Sequence, residues 1–154
     1  MSEPQLHDFT LAATSGKSFQ LAAYQGKTLV IYFYPKDATP GCTTQAVAFR
    51  DAYAEFQALG VEIVGISRDS LKSHENFRTR FGLPFELASD SEEIACGLFD
   101  VIKMKSMYGK QVRGIERSTF IIGPDGQIAK AWRKVKVDGH AGDVLASLRA
   151  LLNS

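Results

Sequence analysis

The sequence predicts a mixed α/β fold, a central mixed sheet flanked by helices and preceded by an N-terminal β-hairpin. Three observations carry this expectation. Strand-like apolar runs alternate with amphipathic helical stretches through the first part of the chain, as parallel crossovers require. The run from Leu29 to Tyr34 is apolar throughout rather than alternating, the pattern of a strand covered on both faces. Near the end, Gly123-Pro124-Asp125-Gly126 joins two β-prone runs across a clear turn, and a last helix closes the chain.

Taken in order, Asp8 to Leu21 reads as a hairpin. Phe9, Leu11 and Ala13 alternate into the turn Ser15-Gly16-Lys17, and Phe19 and Leu21 alternate out of it. The buried strand follows, then a loop with Pro35 and Pro40-Gly41, then a helical pattern starting at Cys42. That helix carries Ala46, Phe49, Tyr53 and Phe56 on one stripe and stops at Gly60. Val61 to Ile66 is a second buried strand. Asp69 or Ser70 can cap the next helix, whose apolar face is thin (Leu71, Phe77) and whose end is Gly82. Phe85 to Ala88 is a short strand. Asp90 or Ser91, with Glu92 and Glu93 in the first turn, opens a helix through Ile94, Ala95, Leu98 and Phe99. Lys103 to Val112 is polar, with Met104, Met107 and Tyr108-Gly109, and reads as a loop. Ser118 to Ile122 and Gln127 to Trp132 form the late hairpin, and Asp143 is a candidate start for the last helix. The layout is thioredoxin-like, with residues 1–154 expected to form a single domain.

Composition narrows the function. Charged residues make up 23% of the 154 and the net charge is +1, so no strong field points to nucleic acid or an anionic membrane. No apolar stretch reaches the roughly 20 residues of a membrane helix. The start, MSEPQLHDFTL, has no secretory pattern, so a cytoplasmic protein is expected. Two cysteines build no disulfide scaffold and have no metal-ligand spacing, and His7, His74 and His140 are isolated along the chain, which reads them as surface residues. The expectation from spacing is a chain with no metal site. In a reducing compartment, a cysteine is more often chemical than structural.

Cys42 is the candidate nucleophile. A buried strand, a tight loop and a helix N-terminus surround it, and the unpartnered N–H groups and dipole of a helix start favour thiolate over thiol. Thr39 presents a hydroxyl three residues before it. Pro35 and Pro40 stiffen the loop without adding N–H groups, and Gly41 allows close backbone approach. A buried, inert cysteine is the bland alternative for Cys42. It is the simpler reading for Cys96, which lies beside the apolar stripe of Ala95, Leu98 and Phe99.

Pro35-x-x-x-Thr39-x-x-Cys42 within FYPKDATPGCTT resembles the active-site motif of the peroxiredoxins. With Thr43-Thr44 and the late GIERSTFIIGPDGQI, the chain is similar to the PrxQ, or bacterioferritin comigratory protein, subgroup over nearly its whole length. The resemblance implies a thioredoxin fold and a thiol peroxidase that reduces hydrogen peroxide and organic hydroperoxides without metal or cofactor. It implies Cys42 as the peroxidatic cysteine, Thr39 holding the peroxide, Pro35 shielding the site and Arg117 as the active-site arginine, with the Gly41 and Cys42 backbone N–H groups as further donors. It implies thioredoxin or another thiol as reductant, and a monomer. Three departures matter: the subgroup's resolving-cysteine positions hold Val47 and, in the later helix, Phe77-Arg78, and its acidic residue three after the nucleophile is Gln45. Only Cys96 is left as a possible resolving cysteine. A thioredoxin-like thiol–disulfide oxidoreductase, or a redox sensor, is the second reading; Thr39 and Gln45, three residues either side of Cys42, leave it no Cys-x-x-Cys pair. A non-catalytic module with a dispensable Cys42 is the third.

Overall fold

The computed structural model describes residues 3–153. Strand β3 (Leu29–Phe33) is the centre, and all five of its residues are buried. It pairs in parallel with β4 (Glu62–Ser67), which pairs in parallel with β5 (Glu86–Ser89), and on its other side it pairs antiparallel with β8 (Ser118–Ile122), which pairs antiparallel with β9 (Ile128–Trp132). The sheet order is therefore β5-β4-β3-β8-β9. Helix α1 (Pro40–Ala58) connects β3 to β4, α2 (Leu71–Phe81) connects β4 to β5, and α4 (His140–Leu152) ends the described chain.

The side-chain alternation of β3 divides two cores, as the two faces of any strand must. Val30, Tyr32 and Tyr34 point to one core with Cys42, Phe49 and Phe56 of α1 and with Val144, Leu145 and Leu148 of α4. Leu29, Ile31 and Phe33 point to the other, with Phe9, Phe19, Phe99, Phe120 and Cys96. The N-terminal hairpin, β1 (Thr10–Ala12) with β2 (Ser18–Gln20), covers this second core. It is fastened at Thr14, whose N–H donates to the Leu87 carbonyl at 3.0 Å and whose Oγ1 accepts from the Leu87 N–H at 3.1 Å. Edge strand β5 is thereby covered rather than left open.

Local signals acted as the sequence predicts at several ends. Ser70 caps α2 by accepting from the Ser73 N–H, and Gly82 ends it in the left-handed region at φ 60°. Four expectations need correction. Helix α1 begins at Pro40, with Thr39 as N-cap, because proline is preorganised for the first helical position. The last helix begins at His140, which leaves Asp143 in its first turn. The helix at Asp90 shortens to α3 (Ile94–Leu98), because Glu93 is left-handed (φ 60°) and Asp90 accepts from the N–H groups of Ile94 and Cys96. The stretch Lys103–Val112 is a hairpin, β6 (Ile102–Met107) with β7 (Lys110–Ile115), turning at Tyr108 and Gly109.

The histidines also differ from expectation. His7 is exposed, whereas His74 and His140 are buried and partnered. His140 Nε2 lies 2.8 Å from Thr119 Oγ1. His74 lies with Asp37 and Asp69 beneath the loop that leads to Cys42.

Candidate active site

Cys42 is the third residue of α1 and only 2% exposed. In the first turn of a helix, N–H groups have no intrahelical acceptor; Pro40 contributes none, and those of Gly41 and Cys42 fall in that turn. The first bond closing the helix runs from the Thr43 N–H to the Thr39 carbonyl at 2.8 Å. Thr39 does not use its side chain as a cap. Its Oγ1 donates back to the Lys36 carbonyl at 2.8 Å, which leaves that oxygen's lone pairs to accept a hydrogen bond from a ligand. Pro35, half-buried, starts the same loop.

Arg117 reaches this point through strand register, which is why a residue so distant in sequence can serve. Phe33, the last residue of β3, sits opposite Ser118, the first of β8, so Arg117 stands beside the end of β3 where the loop to Cys42 departs. Its backbone is held by the Val135 N–H, which donates to the Arg117 carbonyl at 2.9 Å. Its guanidinium is forked: Nη2 donates to Cys42 Sγ at 3.4 Å and Nη1 to Gln45 Oε1 at 2.7 Å. Gln45 therefore stands as a neutral, buried acceptor that orients the arginine. A carboxylate there would bring a second anion beside the sulfur.

The β6–β7 hairpin borders the site through Lys105. Burial, and then the nearby Arg117 charge, lower the Lys105 ammonium below its ordinary value, while Cys42 acts in the opposite direction. Lys105 Nζ donates to the Ile115 carbonyl, which ties β6 to β7 within the hairpin. Sequence reasoning missed Lys105 and the partner role of Gln45. The first lies in a stretch whose polarity reads as a loop, and the second reads in the sequence only as the absence of an acid.

Cys96 is placed elsewhere. It is fully buried in the core on the opposite face of the sheet from Cys42. Burial, then the Asp90 carboxylate, push its thiol well above the ordinary range. The two cysteines are both free, and the sheet separates their cores. The strands, the arginine and the helix start thus assemble around one sulfur, with one arm of the guanidinium fork on it and the other on Gln45.

Comparison with known proteins leads to the same place. The model of the AhpC/TSA family matches residues 3–131. A peroxiredoxin Bcp of Xanthomonas campestris is 56% identical over 143 residues, covering 93% of this chain and 89% of its own. A peroxiredoxin Bcp of Bacillus subtilis is 46% identical over 142 residues, covering 92% of this chain and 90% of its own. A solved structure of Xanthomonas campestris peroxiredoxin Q aligns with TM-score 0.90 at 55% identity, over 94% of this chain and 91% of that one. A second, from work on alkyl peroxide reduction by the bacterioferritin comigratory protein of that organism, aligns with TM-score 0.89 at 54% identity, over 94% and 92%. The chain belongs to the AhpC/TSA family, within its PrxQ, or bacterioferritin comigratory protein, subgroup of peroxiredoxins.

Proposed function

We propose that this chain is a thiol peroxidase acting on hydrogen peroxide and organic hydroperoxides, with Cys42 as the nucleophile and an external thiol as reductant. The observation that carries the reading is the Arg117 fork, with one arm on Cys42 Sγ and the other fixed by Gln45. The Cys42 thiolate attacks the terminal peroxide oxygen. An S–O bond forms, the O–O bond breaks, and the departing oxygen leaves as alkoxide or hydroxide and takes up a proton. Cys42 is oxidised to sulfenic acid and the peroxide is reduced to alcohol or water. Arg117 and the N–H groups of Gly41 and Cys42 are aimed where negative charge grows on the leaving oxygen, which lowers the barrier. Thr39 Oγ1 accepts from the peroxide O–H, and Pro35 limits water at the mouth.

The return of Cys42 rests on a second thiol. Thioredoxin or another thiol attacks the sulfenic acid, releases water and forms a mixed disulfide; a further thiol then frees Cys42. Burial of Cys96 in the opposite core supports this route over an internal disulfide, since a disulfide needs Cα atoms within about 7 Å. Residues 1–154 are read as one domain acting as a cytoplasmic monomer, without metal, cofactor, nucleic acid or membrane attachment; among the described residues no helix is long and apolar enough to cross a membrane.

The test is to replace Cys42 by serine and assay peroxide consumption with a thiol reductant. Turnover is expected to vanish, and retained turnover would sink the reading. With one equivalent of peroxide and no reductant, the intact chain is expected to gain the mass of one oxygen. A loss of two hydrogens with both thiols consumed would instead make Cys96 the resolving residue.

A further inference from the structure

Beneath the loop that delivers Cys42 lies a buried polar cluster that the mechanism above does not use. Asp37 stands five residues before the nucleophile and is 7% exposed. Its Oδ1 accepts from the Tyr34 hydroxyl at 2.6 Å, and its Oδ2 accepts from Ser73 Oγ at 2.8 Å. The same Oδ2 lies 2.7 Å from Nδ1 of His74, which is fully buried. The Asp37 N–H donates to Asp69 Oδ2 at 2.8 Å. On its far side His74 Nε2 faces the Ala88 carbonyl at 3.0 Å; a carbonyl only accepts, so Nε2 donates.

These bonds join the loop that leaves β3 to three other pieces of chain: the β4–α2 connection, the first turn of α2 and strand β5. The next residue after Asp37 shows what they hold. Ala38 sits at φ 62°, a left-handed conformation that is disfavoured for a residue with a Cβ. Such backbone persists only where its surroundings over-determine it. One residue later Thr39 turns its hydroxyl to Lys36, and Cys42 follows in the first turn of α1. Asp37, Asp69 and His74 offer ligand atoms within 4.8 Å of one another, a spacing that could also suit a metal ion. Each facing atom already has a hydrogen-bond partner, Asp69 Oδ2 also accepting from Ser67 Oγ at 2.6 Å, so the cluster is complete as a lock.

We propose that Asp37 and His74 are positioning residues for peroxide reduction. His74 bolts the loop carboxylate to strand β5, and this sets Ala38 in its left-handed turn and Thr39 and Cys42 in attack geometry. The inference rests on the peroxidase reading above and adds a role for residues that touch neither sulfur nor peroxide. The arrangement also ties the first turn of α2 to the reacting loop, so loosening that turn should slow attack.

The two ring nitrogens of His74 do separate jobs, and two near-isosteric variants divide them. An asparagine amide nitrogen falls near the Nδ1 position and can hold Asp37. A glutamine amide nitrogen falls near Nε2 and can hold only Ala88. The experiment compares wild type, His74→Asn and His74→Gln by stopped-flow oxidation of Cys42 with hydrogen peroxide, by Cys42 alkylation with iodoacetamide, and by thermal melting. His74→Gln is expected to lose on the order of 10- to 100-fold in peroxide rate, the scale of a misplaced reacting group, with alkylation changed by less than about threefold. His74→Asn is expected to react at least about tenfold faster with peroxide than His74→Gln at similar melting temperature. Equal peroxide rates for the two variants, or equal losses in peroxide rate and alkylation, overturn the proposal. If neither variant folds, Ser73→Ala removes one bond to Asp37 from the helix side. A fewfold loss of peroxide rate at unchanged alkylation then supports the lock, and no loss overturns it. A wild-type chain that fails to react with peroxide would instead overturn the function on which the inference rests.

Discussion

At the scale of single residues, the site depends on how close Arg117 comes to the helix start. A Cβ built on Gly41 would lie 3.1 Å from Arg117 Nη2. The openness that glycine gives here is filled by the guanidinium rather than by backbone meeting ligand. Gly41 lies within α1, where helix propensity favours alanine over glycine. Gly41→Ala is therefore expected to leave the melting temperature unchanged or higher, while the displaced fork slows peroxide reduction about tenfold. A stopped-flow rate equal to wild type would show that the fork tolerates the methyl group. Cys42 and Thr39 stand out in the sequence through a short motif, and Arg117 only through the resemblance of its surroundings to the family pattern. His74 does not, since its partner Asp37 lies 37 residues away. A lone histidine carries no spacing signal, and only the parallel packing of β3, β4 and β5 brings its helix over the loop.

At the scale of elements, the five-stranded sheet and its helices followed from hydrophobic pattern, whereas the β6–β7 hairpin did not. Its registry is regular, from Ile102 opposite Ile115 to Met107 opposite Lys110. Most of its side chains are exposed, Met104, Met107, Tyr108 and Val112 among them, so neither face carries the apolar alternation that reveals a strand. Its turn also lacks the usual Asn-Gly signal; Tyr108 and Gly109 both take positive φ, at 53° and 77°. In contrast, β4 is strict. Gly65 lies opposite Tyr32 of β3, and a Cβ on it would come within 2.9 Å of the Tyr32 ring and hydroxyl and of Leu87. Both neighbours are buried in the core that holds Cys42, so they have little room to give. Gly65→Ala is expected to destabilise the fold by about 1–3 kcal/mol through overpacking. Urea unfolding of the two proteins measures it, and a midpoint at or above wild type would mean that the tyrosine has room to move.

At the scale of the whole molecule, the sheet is a partition. The core with α1, α2 and α4 holds the Cys42 sulfur, and the core with the N-terminal hairpin and α3 holds that of Cys96. Acid should act first on the Cys42 side, because His140 is buried there between α1, β8 and β9. Its ring meets Phe49 and Trp132 edge-on, and Nε2 meets Thr119. Burial lowers the His140 imidazole to about 4, against about 6.5 in an unfolded chain. Between those values the unfolded chain binds the extra proton and the folded one does not. The stability that neutral His140 preserves is therefore complete above about pH 6.5 and is lost as pH falls toward about 4, by on the order of 3 kcal/mol. His140→Gln keeps an amide near Nε2 for Thr119 and removes the titration. Carboxylates elsewhere titrate alike in both proteins, so the difference between their stability curves isolates the histidine. From pH 7 to pH 4, wild type is expected to lose about 3 kcal/mol more than the variant in denaturant unfolding. Parallel curves would mean that the ring protonates in place without opening the core around Cys42.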